Sequence, residues 1–415
     1  MKAFLCFLLI AGAAASPYAP LRYDGYKVIR AVPSTEEQVA SLKKLEASGY
    51  DFWKDAGKPG TSADIMASPK KFDDLTSFLS ENNIPASVII DNVQSLVDQA
   101  RPSGRDNQDP TMNWEQYQTL PTISSWLQAL RQVFPNLVSI LEIGQSSEGR
   151  PLQVVKISTG GNQTKAIFWI DATIHAREWI ATGIATYIIN ELVTRFHAYA
   201  DLLAGIDFYI MPIINPDGYD YTHTTDRMWR KTRSDHDSPL GCKGVDANRN
   251  FGYEYGGPGS STDKCAETYR GPEAYSEPET DAIVKFLDTI NKTRRDAFVS
   301  LHSYGHQFLT PWAHTNAFLP PDYQELKDLS DVAVAELFSY YNTTFTTGRP
   351  NNVYSGFSMD WAKAEGGFKY VYLLELRDTG AHGFILPPEQ IIPSSIETWA
   401  ALQVVARYLL PIRLA

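Results

Sequence analysis

The chain has 415 residues, a formal net charge of −11 and an apolar fraction of 43%. A single hydrophobic core rarely grows beyond roughly 250–300 residues, so this length predicts more than one domain. The ordinary balance of apolar and charged residues excludes a disordered chain. The net negative charge argues against a nucleic-acid-binding protein.

The first fifteen residues have the pattern of a secretory signal. Lys2 is followed by an apolar stretch from Ala3 to Ala11, and the small residues Ala13-Ala-Ala15 offer a cleavage site. The apolar stretch is too short to span a membrane, and no later segment approaches the roughly 18 apolar residues that a transmembrane helix needs. We therefore expect a secreted, extracellular protein that does not enter a membrane.

Secretion determines how the three cysteines are interpreted. Cys6 lies within the signal, which leaves Cys242 and Cys265 in an oxidising compartment, where we expect them to form a disulfide. Three Asn-x-Thr motifs for N-linked glycans agree with this location, although such short motifs also arise by chance. They begin at Asn162, Asn291 and Asn342.

Residues 16–105 are predicted to form a small domain. Strand-like and helix-like patterns alternate there in the order β-α-β-β-α-β, and the first helix opens with the capping box Ser34-Thr-Glu-Glu37. The expected strands cover residues 26–32, 50–53, 63–66 and 86–90, and the expected helices cover 34–47 and 70–82. This order predicts a small α+β open sandwich that can fold on its own.

A polar stretch at residues 101–110 follows this small domain and is expected to be exposed. It contains one good tryptic bond, Arg105–Asp106, because Pro102 blocks cleavage after Arg101. The stretch is either an activation site or an ordinary interdomain linker.

Residues 106–415 are predicted to form an α/β domain. Four near-continuous apolar runs indicate strands that are buried on both faces, and long helical patterns lie between them. The strands are expected at residues 166–170, 208–211, 297–301 and 370–374, and the helices at 180–196, 277–290 and 326–341. Polar residues cluster just after the strand ends, where open α/β sheets place their functional sites.

Two of these strand ends carry metal-ligating residues. His175 and Glu178 are three residues apart at a strand-to-helix turn, so both side chains can converge on one point. That pair alone is a weak signal, because polar surface residues match it by chance. His302 ends another buried strand, and two histidines with one glutamate form a three-ligand zinc site that leaves one position open for water.

Six segments, in chain order, resemble the signature motifs of the secreted zinc metallocarboxypeptidases of the pancreatic A/B type. The resemblance covers about residues 112–410, and residues 16–105 resemble the activation domain of that family. The segments are His175-Ala-Arg-Glu-Trp179, Asn215-Pro-Asp-Gly-Tyr219, Arg227-Met-Trp-Arg-Lys-Thr-Arg233, Asp246-Ala-Asn-Arg-Asn-Phe251, His302-Ser-Tyr304 and Glu375-Leu-Arg-Asp-Thr-Gly380.

This resemblance implies a fold and a division of the chain. The catalytic domain, residues 106–415, would be an α/β/α sandwich around a mixed eight-stranded sheet. It would follow a signal peptide at 1–15 and an activation domain at 16–105, giving a zymogen that a trypsin-like protease activates near Arg105. The family also implies a monomeric digestive protease that acts on the C-termini of peptides and proteins.

The resemblance further implies the metal site and its support. One zinc ion would be bound by His175, Glu178 and His302. Asp246 would fix the orientation of a ligand histidine.

Two further residues are expected to act in catalysis. Glu375 follows an apolar strand, where a carboxylate is costly to bury without a task, and it fits the general base that accepts a proton and passes it to the leaving amine. The alternative is a structural ion pair with Arg377 or another arginine. By resemblance, Arg230 stabilises the oxyanion of the tetrahedral intermediate.

An exopeptidase must recognise a free carboxylate, which suits the planar guanidinium of arginine. By resemblance, Arg249 would bind this carboxylate with the help of Asn248 and Tyr354; the alternative for Arg249 is an ion pair within the core. The remaining basic residues of the motifs divide into Arg177 and Arg227, which would hold the approaching peptide, and Lys231 and Arg233, which we expect on a solvated surface. The six histidines other than the two ligands are expected to be surface or satisfied core residues.

The C-terminal residue preference depends on the base of the substrate pocket. Alignment of Phe357-Ser-Met-Asp-Trp361 with the family places Met359 there, which favours aliphatic or aromatic C-terminal residues. If Arg349 enters the pocket wall, an acidic or broad preference results. The other alternative is a non-catalytic peptide-binding module on the same fold, which the complete set of ligands, base and carboxylate-binding arginine disfavours.

Overall fold

The computed structural model describes residues 19–100, 112–161 and 165–414. The predicted signal at residues 1–15, the tryptic bond after Arg105 and the glycan motif at Asn162 lie outside the described residues.

The N-terminal part forms the predicted small open sandwich. Its four strands make an antiparallel sheet in the order β2-β3-β1-β4. The elements are β1 Lys27–Ala31, α1 Glu36–Ala47, β2 Asp51–Lys54, β3 Ala63–Ala67, α2 Phe72–Glu81, β4 Ala86–Ile90 and α3 Val93–Ala100. The predicted β-α-β-β-α-β order is therefore confirmed, with the helix α3 as an addition that was not expected.

The start of α1 differs from the sequence prediction by one residue. Thr35, in an extended conformation, is the N-cap, and its Oγ1 accepts a hydrogen bond of 3.3 Å from the backbone N–H of Gln38. The Gln38 side-chain oxygen in turn accepts from the backbone N–H of Ser34 at 2.7 Å. A Thr-x-x-Gln pair provides the capping that was assigned to Ser34 and Glu37, because Thr35 accepts from the backbone N–H of Gln38 and Gln38 accepts from that of Ser34.

The two faces of this small sheet have different partners. Ile29 and Ile65 pack under the helices of the sandwich. Val28, Trp53 and Ile90 form another apolar cluster together with residues of the larger domain, including Tyr304 and Phe384. A sheet that is apolar on both faces needs a partner on each of them. Here the helices α1 and α2 cover one face, and the larger domain covers the other.

The larger domain is built on a mixed eight-stranded sheet in the order β11-β10-β12-β9-β7-β8-β6-β5. The strands are β5 Val138–Gln145, β6 Pro151–Ile157, β7 Ala166–Ala172, β8 Ile206–Met211, β9 Arg295–His302, β10 Gln307–Leu309, β11 Thr346–Gly348 and β12 Tyr370–Glu375. The central strands β8, β7, β9 and β12 run parallel, as do β10 and β11, and the pairs β5–β6, β6–β8 and β10–β12 are antiparallel.

Helices cover both faces of this sheet. They are α4 Leu120–Val133, α5 Trp179–Thr194, α6 Ala200–Gly205, α7 Pro216–Thr224, α8 Pro278–Asp288, α9 Tyr323–Tyr341, α10 Ser358–Ala364 and α11 Ile391–Leu414. Alternate residues of β7 enter opposite cores: Phe168 and Ile170 pack with α5 and α11, whereas Ile167 and Trp169 pack with α8 and α10. The α/β/α sandwich is therefore confirmed.

The central strands are as buried as their apolar sequences predict. Every residue of β7, β8 and β9 is buried, as are the first five of β12. Cys242 and Cys265 form the expected disulfide, with their Cα atoms 5.1 Å apart. Among the helices of the described ranges, none combines the length and the apolar character that crossing a membrane requires.

Candidate active site

The candidate active site lies at the carboxyl ends of three parallel strands. β7 leads into the turn that carries His175 and Glu178, β9 ends at His302, and β12 ends at Glu375. Glu375 is the register partner of His302 on the neighbouring strand. Because parallel strands end at the same edge of a sheet, residues far apart in the sequence are brought together there.

His175, Glu178 and His302 form one compact, buried group. Their ligating atoms all lie within 4.8 Å of one another. The Glu178 oxygens lie 2.7 Å from Nδ1 of His175 and 3.1 Å from Nδ1 of His302, and these two nitrogens are 3.2 Å apart. In the part of the chain that the structure describes, this is the one group of three potential ligands that meets these distances.

Asp246 organises the next layer around this group. Its Oδ1 lies 3.1 Å from Nε2 of His175, and its Oδ2 accepts a hydrogen bond of 2.9 Å from Arg230. Asp246 is fully buried, and although burial opposes ionisation, Arg230, Arg249 and His175 hold the pKa of its carboxyl well below the usual range. The contact with Nε2 leaves Nδ1 of His175 facing the ligand group, which is the orienting contact expected of Asp246.

This donor set fits a zinc ion. Two imidazole nitrogens and one carboxylate are the ligands of many catalytic zinc sites. The two Nδ1 atoms face each other across a carboxylate and would repel one another as acceptors, unless a cation or a proton lies between them. His175, Glu178 and His302 would hold the ion, and Asp246 would orient His175 from behind.

Glu375 lies beside the ligands and forms no ion pair with any other residue that the structure describes. Burial raises the pKa of its carboxyl, and Glu178 adds to this shift while His302 and Arg230 oppose it. Arg377 instead pairs with Glu397, at 2.7 and 2.5 Å. The alternative in which Glu375 serves as the partner of Arg377 is therefore wrong, because a buried glutamate on α11 occupies that guanidinium.

Arg249, Asn248 and Tyr354 lie together on one side of the ligand group. The guanidinium of Arg249 is 3% exposed and stacks over the Tyr354 ring at 4.8 Å. It lies 3.6 Å from Asp246, so the core ion pair considered as an alternative is partly formed. Nδ2 of Asn248 lies 3.4 Å from Nε2 of His302, and its Oδ1 accepts from the backbone N–H of Ser358 at 2.9 Å.

The two arginines expected to hold the peptide have different surroundings. Arg177 points towards the small domain, where Asp51 accepts its hydrogen bonds at 3.1 Å. Arg227 is buried against the ring of Trp179, at 3.7 Å, and donates to the backbone carbonyls of Arg177 and Phe384. Arg227 therefore fixes the position of the Arg177 backbone through this hydrogen bond.

Two neighbouring basic residues do not form the solvated surface that was expected. Lys231 is buried, and its Nζ donates to the carbonyl of Lys264 at 2.8 Å. Arg233 is half-buried, with its guanidinium over the rings of Tyr221 at 3.7 Å and Trp229 at 4.5 Å. That expectation was wrong, because alkyl stems and guanidinium planes pack well on aromatic rings.

The candidate pocket residue Met359 is fully buried in the first turn of α10. It belongs to the same apolar cluster as Leu309, Ala313 and Leu373. The preceding Ser358 is hydrogen-bonded to Asn248, so Met359 is adjacent to the predicted carboxylate site. Arg349 is half-buried, and its guanidinium donates to the carbonyl of Asn316 at 3.1 Å.

The small domain is bound directly against this site. Besides the Asp51–Arg177 pair, the hydroxyl of Tyr304 donates to the fully buried Asp64 at 2.8 Å. The ring of Trp53 packs against Phe384 at 5.3 Å. From the sequence, Asp51 and Asp64 were predicted only to lie on strands. The available signal for a contact between the domains was the presence of acidic residues on these strands and of basic residues in the site motifs.

Two more acidic residues of the small domain reach the site electrostatically. Burial raises the pKa of Glu46, Asp55 adds to the shift, and Arg249 and Arg230 oppose it. Asp55 also raises the pKa of Glu375. Acidic residues of the N-terminal domain thus lie within electrostatic range of Arg230, Arg249 and Glu375.

Comparison with known proteins agrees with this geometry. Residues 123–401 match the zinc carboxypeptidase family, and residues 29–100 match the carboxypeptidase activation peptide. The chain is 37% identical to carboxypeptidase A2 of Rattus norvegicus, over 97% of this chain and 98% of the relative. It is 44% identical to carboxypeptidase B of Astacus astacus, over 72% of this chain and 98% of the relative.

Solved structures give the same result. The crystal structure of thrombin activatable fibrinolysis inhibitor matches with a TM-score of 0.84 and 32% identity, covering 93% of this chain and 98% of that chain. Carboxypeptidase A from Helicoverpa armigera matches with a TM-score of 0.86 and 27% identity, covering 94% and 98%. With the ligand group and the preceding domain in place, the chain belongs to the zinc carboxypeptidases and is a metallocarboxypeptidase that carries its activation peptide.

Proposed function

We propose that this protein is the zymogen of a secreted, zinc-dependent exopeptidase that removes aliphatic or aromatic residues from the C-termini of peptides and proteins. The observation that carries this proposal is the convergence of a ligand group that fits zinc, Glu375, which has no arginine partner among the described residues, and the buried guanidinium of Arg249. Residues 16–105 would be the activation domain and residues 106–415 the catalytic domain, separated by cleavage near Arg105.

Recognition of the chain end rests on Arg249. Its guanidinium is held in place by the carbonyl of Gly259, at 2.6 Å from Nε, and by the ring of Tyr354. A planar guanidinium in this position suits a bidentate contact with a terminal carboxylate, and the hydroxyl of Tyr354 and the amide of Asn248 are available beside it.

Zinc, when bound, lowers the pKa of a water molecule and polarises the scissile carbonyl. Glu375 is the nearby carboxylate that no arginine of the described ranges contacts, so it would accept the proton of the attacking water and deliver it to the leaving amine. Arg230 is fixed by Asp246 and faces the same space, where its positive charge would stabilise the oxyanion.

The residue preference rests on the uncharged surroundings of Met359. An acidic residue at the base of the pocket would favour basic C-terminal residues, whereas a thioether among aliphatic side chains favours apolar ones. The engagement of Arg349 with the carbonyl of Asn316 counts against an acidic preference. Relatives named carboxypeptidase A and carboxypeptidase B both match this chain, so the pocket has to be tested directly.

The test uses trypsin-treated protein and blocked dipeptides that end in Phe, Lys or Glu, with and without a chelator. We expect the highest kcat/KM for the Phe substrate, and complete loss of activity on metal removal with recovery on addition of zinc. Activity that survives full metal removal would disprove the zinc mechanism. A preference for Lys or Glu would disprove the proposed role of Met359 while leaving the exopeptidase activity intact.

The Met359→Asp variant sharpens this test. We expect it to shift preference towards the Lys substrate, because a carboxylate would then face the C-terminal side chain. The Met359→Leu variant is the matched control, which preserves both the volume and the Phe preference.

A further inference from the structure

An exposed aromatic surface lies at the C-terminal end of α9. Phe338 is 46% exposed and Tyr341, one turn further along, is 43% exposed. Residues three apart on a helix lie on the same face, so Phe338 and Tyr341 expose apolar surface on one side of α9. A contiguous exposed apolar surface marks a place that something covers. We call Phe338 and Tyr341 the α9 aromatic pair.

The glycan motif Asn342-Thr-Thr344 directly follows this pair. Asn342 is exposed and caps α9 in a left-handed conformation, with φ 55°, while its backbone N–H donates to the carbonyl of Phe338 at 2.9 Å. This bond places Asn342 one helical turn beyond Phe338, on the same side of the helix.

The conformation of the motif directs its acceptor residues outward. The middle residue, Thr343, is anchored inward, because its hydroxyl donates to Glu397 at 2.7 Å and accepts from Arg377 at 2.8 Å. The residues on either side of it, Asn342 and Thr344, are both exposed. The motif is thus rigidly held, with the asparagine and the threonine that define it at the surface.

The motif at Asn291 lies in different surroundings. Asn291 Oδ1 accepts hydrogen bonds of 3.0 Å from both the backbone N–H and the hydroxyl of Thr293. Its sequence neighbours Lys292 and Arg294 are charged. No exposed ring from the described residues lies next to it along the chain, so it provides an internal comparison.

We propose that Asn342 carries an N-linked glycan whose first sugars lie on the α9 aromatic pair. The apolar face of a sugar ring packs on aromatic side chains, and its hydroxyl groups would present a polar surface in place of the rings. This inference rests on the proposed passage of the chain through the secretory pathway, where such glycans are added.

The first experiment expresses the full chain in a eukaryotic secretory host in two forms, one with its own N-terminal segment and one with an unrelated leader. Peptide mass spectrometry of the medium is expected to find a glycan on most copies of Asn342. Thr344→Ala should abolish this glycan, Thr344→Ser should retain it, and Asn291→Gln should leave it unchanged.

The two forms separate the possible failures. If the form with the unrelated leader reaches the medium folded but with an unmodified Asn342, the glycan proposal is wrong. If that form is glycosylated while the form with its own N-terminal segment stays in the cell, proposed secretion is wrong and the glycan assignment stands.

The second experiment tests whether the glycan covers the α9 aromatic pair. Asn342→Gln should increase concentration-dependent self-association in analytical ultracentrifugation, and the double variant Asn342→Gln, Phe338→Glu should restore the behaviour of the glycosylated protein. Unchanged association of folded Asn342→Gln would show that the glycan does not cover the α9 aromatic pair.

Discussion

At the scale of single residues, the site depends on a small number of buried charged groups that contact one another. Asp246 is contacted by His175, Arg230 and the backbone N–H of Asn248, at 3.1, 2.9 and 2.9 Å. A buried carboxylate with this many partners is ionised and rigid. It therefore fixes His175, the proposed metal ligand, and Arg230, the proposed oxyanion-stabilising residue, relative to each other before any substrate arrives.

Glu375→Gln removes the proposed base while preserving its shape. We expect kcat to fall by about 10²–10⁴-fold, with KM and zinc content close to those of the parent protein, because an amide cannot accept the proton. Steady-state kinetics and metal analysis of the trypsin-treated variant measure these quantities. Glu365→Gln, at an exposed position, is the matched control. Full activity of Glu375→Gln would contradict the assigned role.

Tyr304→Phe removes one hydrogen bond across the domain interface. Asp64 would retain its two bonds of 2.7 Å from Arg30 but would lose the one from Tyr304. We expect the activation domain to be bound less tightly by about 1–3 kcal/mol, since the bond involves a buried charge.

The measurement is inhibition of the mature enzyme by the released activation segment, compared between Tyr304→Phe and the parent. Asp24→Asn in the activation segment is the control, because among the described residues Asp24 pairs with Arg22 alone and both side chains are more than half exposed. Equal inhibition of the Tyr304→Phe and parent enzymes would show that the hydroxyl contributes nothing to the interface.

At the scale of elements, the central strands form where the apolar runs of the sequence predict them. The apolar runs predicted β7, β8, β9 and β12, and each of these strands forms with both faces covered. The start of α1 was misplaced by one residue, because Ser34 and Thr35 are both good capping residues. Only the competition between their hydrogen bonds, which depends on Gln38, decides which one caps.

The disulfide closes a loop that carries several residues of the candidate site. Cys242 and Cys265 are 23 positions apart, and the loop they close contains Asp246, Asn248 and Arg249. Replacement of both cysteines by serine should lower the free energy of unfolding of the mature enzyme by about 3 kcal/mol, since the loop is freed in the unfolded chain. Urea denaturation of the parent and the double variant measures this difference. An unchanged midpoint would contradict the prediction.

At the scale of the whole molecule, the activation domain uses charge as well as shape. It brings acidic side chains to a surface that is locally basic, although the protein as a whole carries a net charge of −11. The charged groups that act most strongly on the pKa of Glu46 are Asp55 and Lys43 of its own domain and Arg230 and Arg249 of the catalytic domain. The overall charge favours solubility, and the local charges determine what is bound.

This arrangement predicts that rising pH weakens the interface. Burial in the bound state raises the pKa of Glu46 above its ordinary value of 4.5, so the bound state holds a proton that the free domain releases. The contribution of Glu46 is fully present below about pH 4.5 and is lost as pH rises towards the raised pKa. Inhibition of the mature enzyme by the released activation segment should therefore be tighter at about pH 5 than at about pH 8.

Glu46→Gln should flatten this pH dependence, because the amide does not titrate. Glu81→Gln, at an exposed position on α2, should preserve it. If the two variants show the same pH dependence as the parent, then Glu46 is not responsible.

The sequence alone determined the elements and the chemistry of the ligands. Buried strands are recognisable because consecutive apolar residues are required wherever both faces are covered. His175 and Glu178 were identifiable as a pair because three residues at a turn bring their side chains together. His302 and Glu375 were identifiable because each follows or ends a buried apolar strand, and the resemblance to a zinc carboxypeptidase agreed with both. The structure places both residues at the same sheet edge.

The tertiary structure decided which groups meet across long stretches of chain. No local pattern shows that Arg377 pairs with Glu397, that Lys231 is buried, or that Asp51 and Asp64 reach Arg177 and Tyr304. Local spacing fixes only the direction of a side chain relative to its own helix or strand. The packing of separate elements determines its partner, because a buried charge is stabilised mainly where the fold brings a complementary group to it.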